Sequence, residues 1–222
     1  MPKFLLLFVL FISVQVMAQP ADLQKAKDST LKAIYTADSL KVEKEFAGKM
    51  EEAAMMGKLT FPLLNAGTFS GVFPVTDPSE KPDPNMDYKI LFELVSVNAD
   101  SISGEINESL TEICRVINLH VASGIPVKRI MPVIVVHGPG LAAFTTNAWY
   151  QDRYKKDNPN IKIIGELEKL GARFIACGQA MAFMNFKNAD MLPQVKISIT
   201  AQTALTAYQL KGYVWRKVVV DR

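Results

Sequence analysis

The sequence has few of the residues from which disulfide frameworks and metal sites are built. It contains two cysteines and two histidines among 222 residues. The cysteines, Cys114 and Cys177, stand far apart and form no Cys-x-x-Cys pair. Neither a disulfide-stapled small fold nor a structural zinc site is therefore expected, and no metal is predicted.

The motifs of several common enzyme classes are also absent from the sequence. It has no Gly-x-Ser-x-Gly elbow, no Gly-x-x-x-x-Gly-Lys-Ser/Thr phosphate loop and no Gly-x-Gly-x-x-Gly turn. Hydrolase, nucleotide-dependent and dehydrogenase functions lose their usual support, and no cofactor is expected. The formal net charge is only +3, so no basic excess points to nucleic acid.

A long apolar run occurs only at the start of the chain. Lys3 precedes the apolar run FLLLFVLFISV, which is followed by the small-residue stretch Val16-Met17-Ala18. This pattern is typical of a secretory signal peptide cleaved after Ala18, and no later stretch is long enough to predict a membrane span. We expect an exported, soluble protein that begins at Gln19 and is periplasmic if its source is Gram-negative.

Three regions follow from the pattern along the chain. Residues 1–18 are the expected signal peptide, residues 19–60 an N-terminal helical extension and residues 61–222 an α/β domain. The polar stretch 21–57 predicts a loosely amphipathic helix, which either packs on the domain or a second subunit or acts as a linker or partner-binding arm. Prolines and glycines between residues 62 and 84 then predict a long irregular segment.

From Asp87 onward, apolar β-type runs alternate with helical segments. This alternation predicts a mostly parallel sheet covered by helices on both faces. The expected strands are residues 88–95, 131–138, 172–177, 195–199 and 214–220. The expected helices are residues 103–123, 146–155, 160–170, a short one from about 179, and 203–211.

Two reactive side chains stand where expected strands end. His137 ends the second strand and Cys177 the third, and ligands of open α/β sheets bind at the carboxyl ends of the strands. Cys177 precedes a helix, whose N–H groups and dipole favour a thiolate. The candidate ligand-binding residues are Gly138, in the turn beside His137, Gly178, which lets the backbone approach a ligand, and Gln179, which offers an amide there.

Other interpretations of these side chains stay open. Free cysteine is among the most buried residue types, so Cys177 can be a packing residue, and Cys114 is expected to point inward from the first helix of the domain. The two thiols can also form a disulfide if their Cα atoms lie within about 7 Å. His137 can simply cap the neighbouring turn.

Four stretches resemble one known family. They are the segment from Phe61 through Gly71-Val72-Phe73-Pro74 to Glu80-Lys81-Pro82, the strand end Val135-Val136-His137-Gly138, residues 171–179 (GARFIACGQ) and residues 203–213 (TALTAYQLKGY). In this order and spacing they resemble the DsrE-like family (DsrE, DsrF and YchN type), particularly its exported members. The resemblance runs from about residue 60 to the end of the chain.

The resemblance implies both a fold and a chemistry. The fold is a three-layer α/β/α sandwich with a mostly parallel five-stranded sheet, here with an added N-terminal helix, and such proteins usually form homo-oligomers. In sulfur-relay members, a cysteine at the position of Cys177 carries sulfur as a persulfide. The partners would be sulfur donor and acceptor proteins or small thiols. Export and the leading helix depart from the relay pattern.

Two functions from different classes follow. The first is a sulfur carrier or thiol-exchange protein, at most a sulfurtransferase-like relay, in which the Gly178–Gln179 amide edge stabilises the sulfur anion and His137 accepts a proton. The alternative is a non-catalytic module that binds a small ligand or assembles with the same fold. A Cys177–His137 hydrolase remains formally possible, but no Asn or Asp that would orient His137 can be nominated from the sequence.

Overall fold

A computed structural model describes residues 19–33 and 39–218. The expected signal peptide, residues 1–18, lies outside these ranges, as do residues 34–38 of the expected long helix and residues 219–220 of the expected last strand. The chain divides into two compact units between Lys58 and Leu59. Within the described ranges, no helix is both long and apolar enough to cross a bilayer.

The first unit contains two described helices where the sequence predicts one. Helix α1 spans Pro20–Ala33 and helix α2 spans Ser39–Met56. Most side chains described in this unit are exposed, and none is buried. Lys49 and Glu45 form an exposed ion pair, 2.6 Å apart and one helical turn from each other.

The second unit is a five-stranded sheet with helices on both faces. The strands are β1 Tyr88–Leu94, β2 Ile130–Val136, β3 Arg173–Cys177, β4 Val195–Ser198 and β5 Val214–Lys217. The helices are α3 Glu108–Ala122, α4 Asn147–Tyr154, α5 Ile161–Lys169, α6 Gly178–Phe183 and α7 Ala201–Leu210. The strand order is β4-β3-β2-β1-β5 and every pairing is parallel, which confirms the predicted fold class.

Successive side chains of the central strands point to opposite faces of the sheet and so pack into two separate cores. Phe92, Ile134 and Phe174 join α3 and α5 in the larger core on one face. Leu91, Val135 and Ile175 join α7 on the other face. The connections from β1 through β4 step in one direction along the sheet, and the connection from β4 back to β5 runs in the opposite direction. A constant handedness therefore requires α7 to lie on the opposite face.

The irregular segment after the first unit is attached to α3 by buried side chains, and Asn118 makes most of the hydrogen bonds. Asn118 has no exposed surface. Its Nδ2 donates to the carbonyl oxygens of Leu64 and Ser70, both at 2.8 Å, and its Oδ1 accepts the N–H groups of Leu63 at 3.2 Å and Leu64 at 3.0 Å. One amide thus satisfies four backbone groups that would otherwise have no water to bond.

The ends of two elements differ from the sequence prediction. Helix α3 begins at Glu108 instead of Ser103, because the Asn107 side chain caps it by accepting the N–H groups of Ser109 and Leu110. Strand β2 ends at Val136, so His137 is the first residue beyond the strand.

Candidate functional site

The strand register brings His137 and Cys177 together at the carboxyl edge of the sheet. Strand β2 pairs with β3 through Val136 and Ala176, and the next residues along the two strands are His137 and Cys177. Neighbouring strands lie about 4.8 Å apart. Side chains alternate between faces, so both residues point to the face covered by α7, where Cys177 packs in the smaller core.

Cys177 stands at the rim but is largely covered. It is 5% exposed, and it is a free thiol. Within residues 19–33 and 39–218, its sulfur has no hydrogen-bond partner. Cys177 therefore lies at the expected end of β3, but the surrounding apolar side chains leave it only a narrow exposed surface.

Cys114 lies on the other face of the sheet. It has no exposed surface and belongs to the larger core, as expected for a buried thiol on α3. Burial, with a smaller contribution from the charge of Glu166, raises the pKa of the Cys114 thiol to about 12. Both cysteines are free, so the disulfide alternative is wrong for this structure, in which the sheet separates the two thiols.

A buried carboxylate orients His137. His137 Nε2 lies 2.9 Å from Oε1 of Glu93 on β1, and Trp215 Nε1 on β5 donates to Glu93 Oε2 at 3.1 Å. The backbone N–H of His137 also donates to the Leu94 carbonyl oxygen at 3.0 Å. Four side chains thus follow one another across the neighbouring strands β5, β1, β2 and β3: Trp215, Glu93, His137 and Cys177. We call these four residues the rim row.

Sequence reasoning missed Glu93 and Trp215. A signal for Glu93 was present, since it is the acidic residue in the otherwise apolar run Ile90-Leu91-Phe92-Glu93-Leu94 of a doubly covered strand. Trp215 had no comparable signal, because nothing in the sequence states that the last strand pairs with the first.

Gly178 is required by the close approach of β4. A Cβ at this position would lie 2.7 Å from the carbonyl oxygen of Ser198, which is nearer than real side chains come. Strands β3 and β4 pair here, with Cys177 opposite Ser198. The structural role of Gly178 is therefore to let the chain leave β3 beside the end of β4.

The prediction that the Gly178–Gln179 amides stabilise a sulfur anion is wrong in one respect. The backbone N–H of Gln179 donates to the carbonyl oxygen of Ile199 at 3.1 Å, so it is already used. Helix α6 is only 6 residues long, and its dipole is correspondingly small. The side chain of Gln179 is exposed at the rim, which leaves its amide free to meet a ligand.

The loop after β2 is held rigidly beside His137. Gly138 has a positive φ of 57° and begins a 3₁₀ turn that runs to Phe144. Gly140 donates its N–H to the Val95 carbonyl oxygen at 2.7 Å. Asn158 Nδ2 bonds the carbonyl oxygens of Ala143 and Thr145. The half-buried Gly138 is therefore fixed in place at the edge of the site.

A separate cleft lies at the other end of β1. It has a volume of about 300 Å³ and is lined by residues that include Tyr88, Arg115, His120 and Arg216. Its lining includes no residue of the rim row, so it does not belong to the Cys177 site. In the part of the chain that the structure describes, no group of three or more His, Cys, Asp or Glu side chains is arranged to hold a metal ion.

Comparison with known proteins identifies a family. The DsrE/DsrF-like family matches over residues 98–215, which is more than half of the chain and includes His137, Gly138 and residues 177–179 but not Glu93. Among solved structures, the chain is similar to MTH1491, a protein of unknown function from Methanobacterium thermoautotrophicum. The identity is 18% and the TM-score 0.45, over 59% of this chain and 99% of that chain. No curated protein matches the sequence.

Proposed function

Since this chain belongs to the DsrE/DsrF-like family, we propose that it is an exported sulfur carrier or thiol-exchange protein whose working group is the Cys177 thiol. Family membership supports a protein of the sulfur-relay type. The observation that carries the finer proposal is the placement of Cys177 beside His137 at the carboxyl edge of the sheet, with His137 itself bonded to a buried carboxylate.

The proposed reaction is a balanced sulfur transfer. The Cys177 thiolate attacks the outer sulfur of a persulfide R–S–SH, a sulfur–sulfur bond forms on Cys177, and the bond to the donor breaks to release R–S⁻. His137 accepts the proton from Cys177 and returns it to the leaving thiolate. An acceptor thiolate later removes the outer sulfur from Cys177 by the same displacement, so no external oxidant or reductant is needed.

Proton transfer between the two side chains needs a small rearrangement. In the described ranges they are neighbours without a hydrogen bond between them. Rotation of one side chain or an intervening water closes this gap, and catalytic hydrogen bonds are often long in ligand-free proteins. Donors and acceptors, either small thiols or partner proteins, would reach the sulfur at the carboxyl edge of the sheet, where the neighbouring Gln179 side chain is exposed.

Mass spectrometry of polysulfide-treated protein tests the proposal. We expect one added sulfur atom on the Cys177 peptide and none on the Cys114 peptide, because Cys114 is fully buried with a pKa raised to about 12. The Cys177→Ser variant should take up no sulfur. An unmodified Cys177 peptide, under conditions that load a known persulfide carrier, would remove the proposal.

One observation favours the alternative of a non-catalytic binding or assembly module. Cys177 is 5% exposed and packs among the side chains of the smaller core, as a cysteine with only a packing role would. In that case Cys177→Ser would keep any ligand binding, and native Cys177 would resist small thiol reagents. If Cys177 is the sulfur carrier, Cys177→Ser should lose the binding of sulfur, and native Cys177 should react with small thiol reagents.

Export forms part of the proposal and rests on residues 1–18 alone. Lys3, the apolar run and the small residues before Gln19 match the three parts of a secretory signal peptide. Sequencing the N-terminus of the protein recovered from its own cells should give Gln19. A mature protein that starts at Met1 would contradict export by this route.

A further inference from the structure

Glu93 is in a place where a carboxylate is normally avoided. It is 7% exposed and lies near the carboxyl end of β1, between the apolar residues Phe92 and Leu94. Burial of a carboxylate costs several kcal/mol unless its oxygens are well bonded. Glu93 meets this condition through two partners, Trp215 Nε1 on Oε2 and His137 Nε2 on Oε1.

These two hydrogen bonds determine which nitrogen of His137 carries the proton. An indole N–H can only donate, so Glu93 acts as the acceptor toward Trp215. With the carboxyl ionised, Oε1 must also accept, and Nε2 of His137 is then the protonated nitrogen. Nδ1 of His137 therefore carries the free lone pair.

The other histidine has the reverse arrangement. His120 Nδ1 lies 2.7 Å from the carbonyl oxygen of Val116. A carbonyl oxygen has no proton to give, so Nδ1 of His120 must be the donor, and Nε2 is its unprotonated nitrogen when the ring is neutral. The chain thus holds its two histidines in opposite tautomers, and each provides an internal reference for the other.

We propose that Glu93 is a positioning residue for the Cys177 site. It holds His137 in the Nε2–H tautomer, so that Nδ1 is free to accept the proton of the Cys177 thiol. It also stabilises the imidazolium that this transfer creates. The inference rests on the proposed function, since it assigns Glu93 a part in the same sulfur transfer.

The other charged residues of strands β1–β5 that alternate to the same face of the sheet as the rim row are all basic: Lys89, Arg173, Lys196 and Lys217. On β5, Lys217 pairs in register with Glu93, and it is exposed. On β3, Cys177 is the titratable group beside His137. The loop Gly138–Phe144 and helix α6 contain no titratable side chain, and on α7 the titratable residue is Tyr208, which belongs to the smaller core. Glu93 is therefore the carboxylate that balances a proton on His137.

Nitrogen NMR of the two imidazole rings, combined with the rate of sulfur loading, tests this role. In the wild-type protein we expect the Nε2–H form for His137 and the Nδ1–H form for His120. Glu93→Gln has nearly the same shape, but its amide can donate to Nε2. We expect it to shift His137 toward the Nδ1–H form and to slow the loading of Cys177 by polysulfide by about 10- to 100-fold.

Trp215→Phe is the matched control. It removes the other hydrogen bond to Glu93 while the carboxylate stays, so the Nε2–H form of His137 should persist. Glu93→Asp keeps the charge and should restore part of the loading rate that Glu93→Gln loses. This pattern distinguishes positioning by a carboxylate from a general loss of packing around residue 93.

Each result has a defined meaning. An Nδ1–H form of His137 in the wild-type protein would overturn the inference without any variant, so the test holds even if Glu93→Gln does not fold. A Glu93→Gln protein that keeps the tautomer, or loads Cys177 at the wild-type rate, would also overturn it while the sulfur-carrier function stands. A wild-type protein that takes up no sulfur on Cys177 would instead remove the proposed function itself.

Discussion

The Asn118→Ala variant is expected to lose about 3–5 kcal/mol of its free energy of unfolding. The truncated side chain would leave two N–H groups and two carbonyl oxygens of the segment 63–70 without their partner. Asn118 has no exposed surface, so water cannot readily replace these bonds. Stabilities of single domains amount to only about 5–15 kcal/mol, and this change would remove a large part of that.

Urea denaturation followed by circular dichroism measures this effect. Asn85→Ala is the matched control, because Asn85 is exposed and its side chain makes no hydrogen bond within the described ranges. The control should stay within about 0.5 kcal/mol of the wild type. If Asn118→Ala lost less than about 1 kcal/mol, the segment would not depend on this amide for its attachment to α3.

The fold could be predicted from the sequence because its signals are local. Runs such as Ile130–Val136 contain the β-branched residues of a doubly covered strand, and each is separated from the next by at least one helix. Strand order is not a local property. Nothing within residues 214–217 indicates that β5 lies beside β1 at the far edge from β4, so the neighbours of each strand could not be derived from the pattern.

The site residues that were predicted have local sequence signals, whereas those that were missed depend on the strand order. His137 and Cys177 could be nominated because the carboxyl ends of parallel strands share one edge of the sheet. Glu93 was missed because its role depends on facing the same side of the sheet as His137 and on pairing across strands. The bond from Gln179 N–H to the Ile199 carbonyl oxygen likewise depends on where the end of β4 passes.

Cys177 therefore lies at the edge of the sheet where ligands are expected to bind, but its side chain is largely buried. A thiol in this position reacts as a carrier only if small molecules reach its sulfur in the folded protein. The two cysteines provide the comparison within one chain, since Cys177 is 5% exposed at the rim and Cys114 has no exposed surface and a pKa raised to about 12. The thiolate is the reacting form, so Cys114 should be nearly inert at neutral pH.

The decisive measurement is the rate at which iodoacetamide alkylates each cysteine at neutral pH, in the native protein and in urea. We expect native Cys177 to react at least about 100 times faster than native Cys114, and less than about tenfold slower than Cys177 in the unfolded chain. A native Cys177 that is protected about tenfold or more relative to the unfolded chain, and so reacts only when the protein opens, would contradict a working thiol at the edge of this sheet.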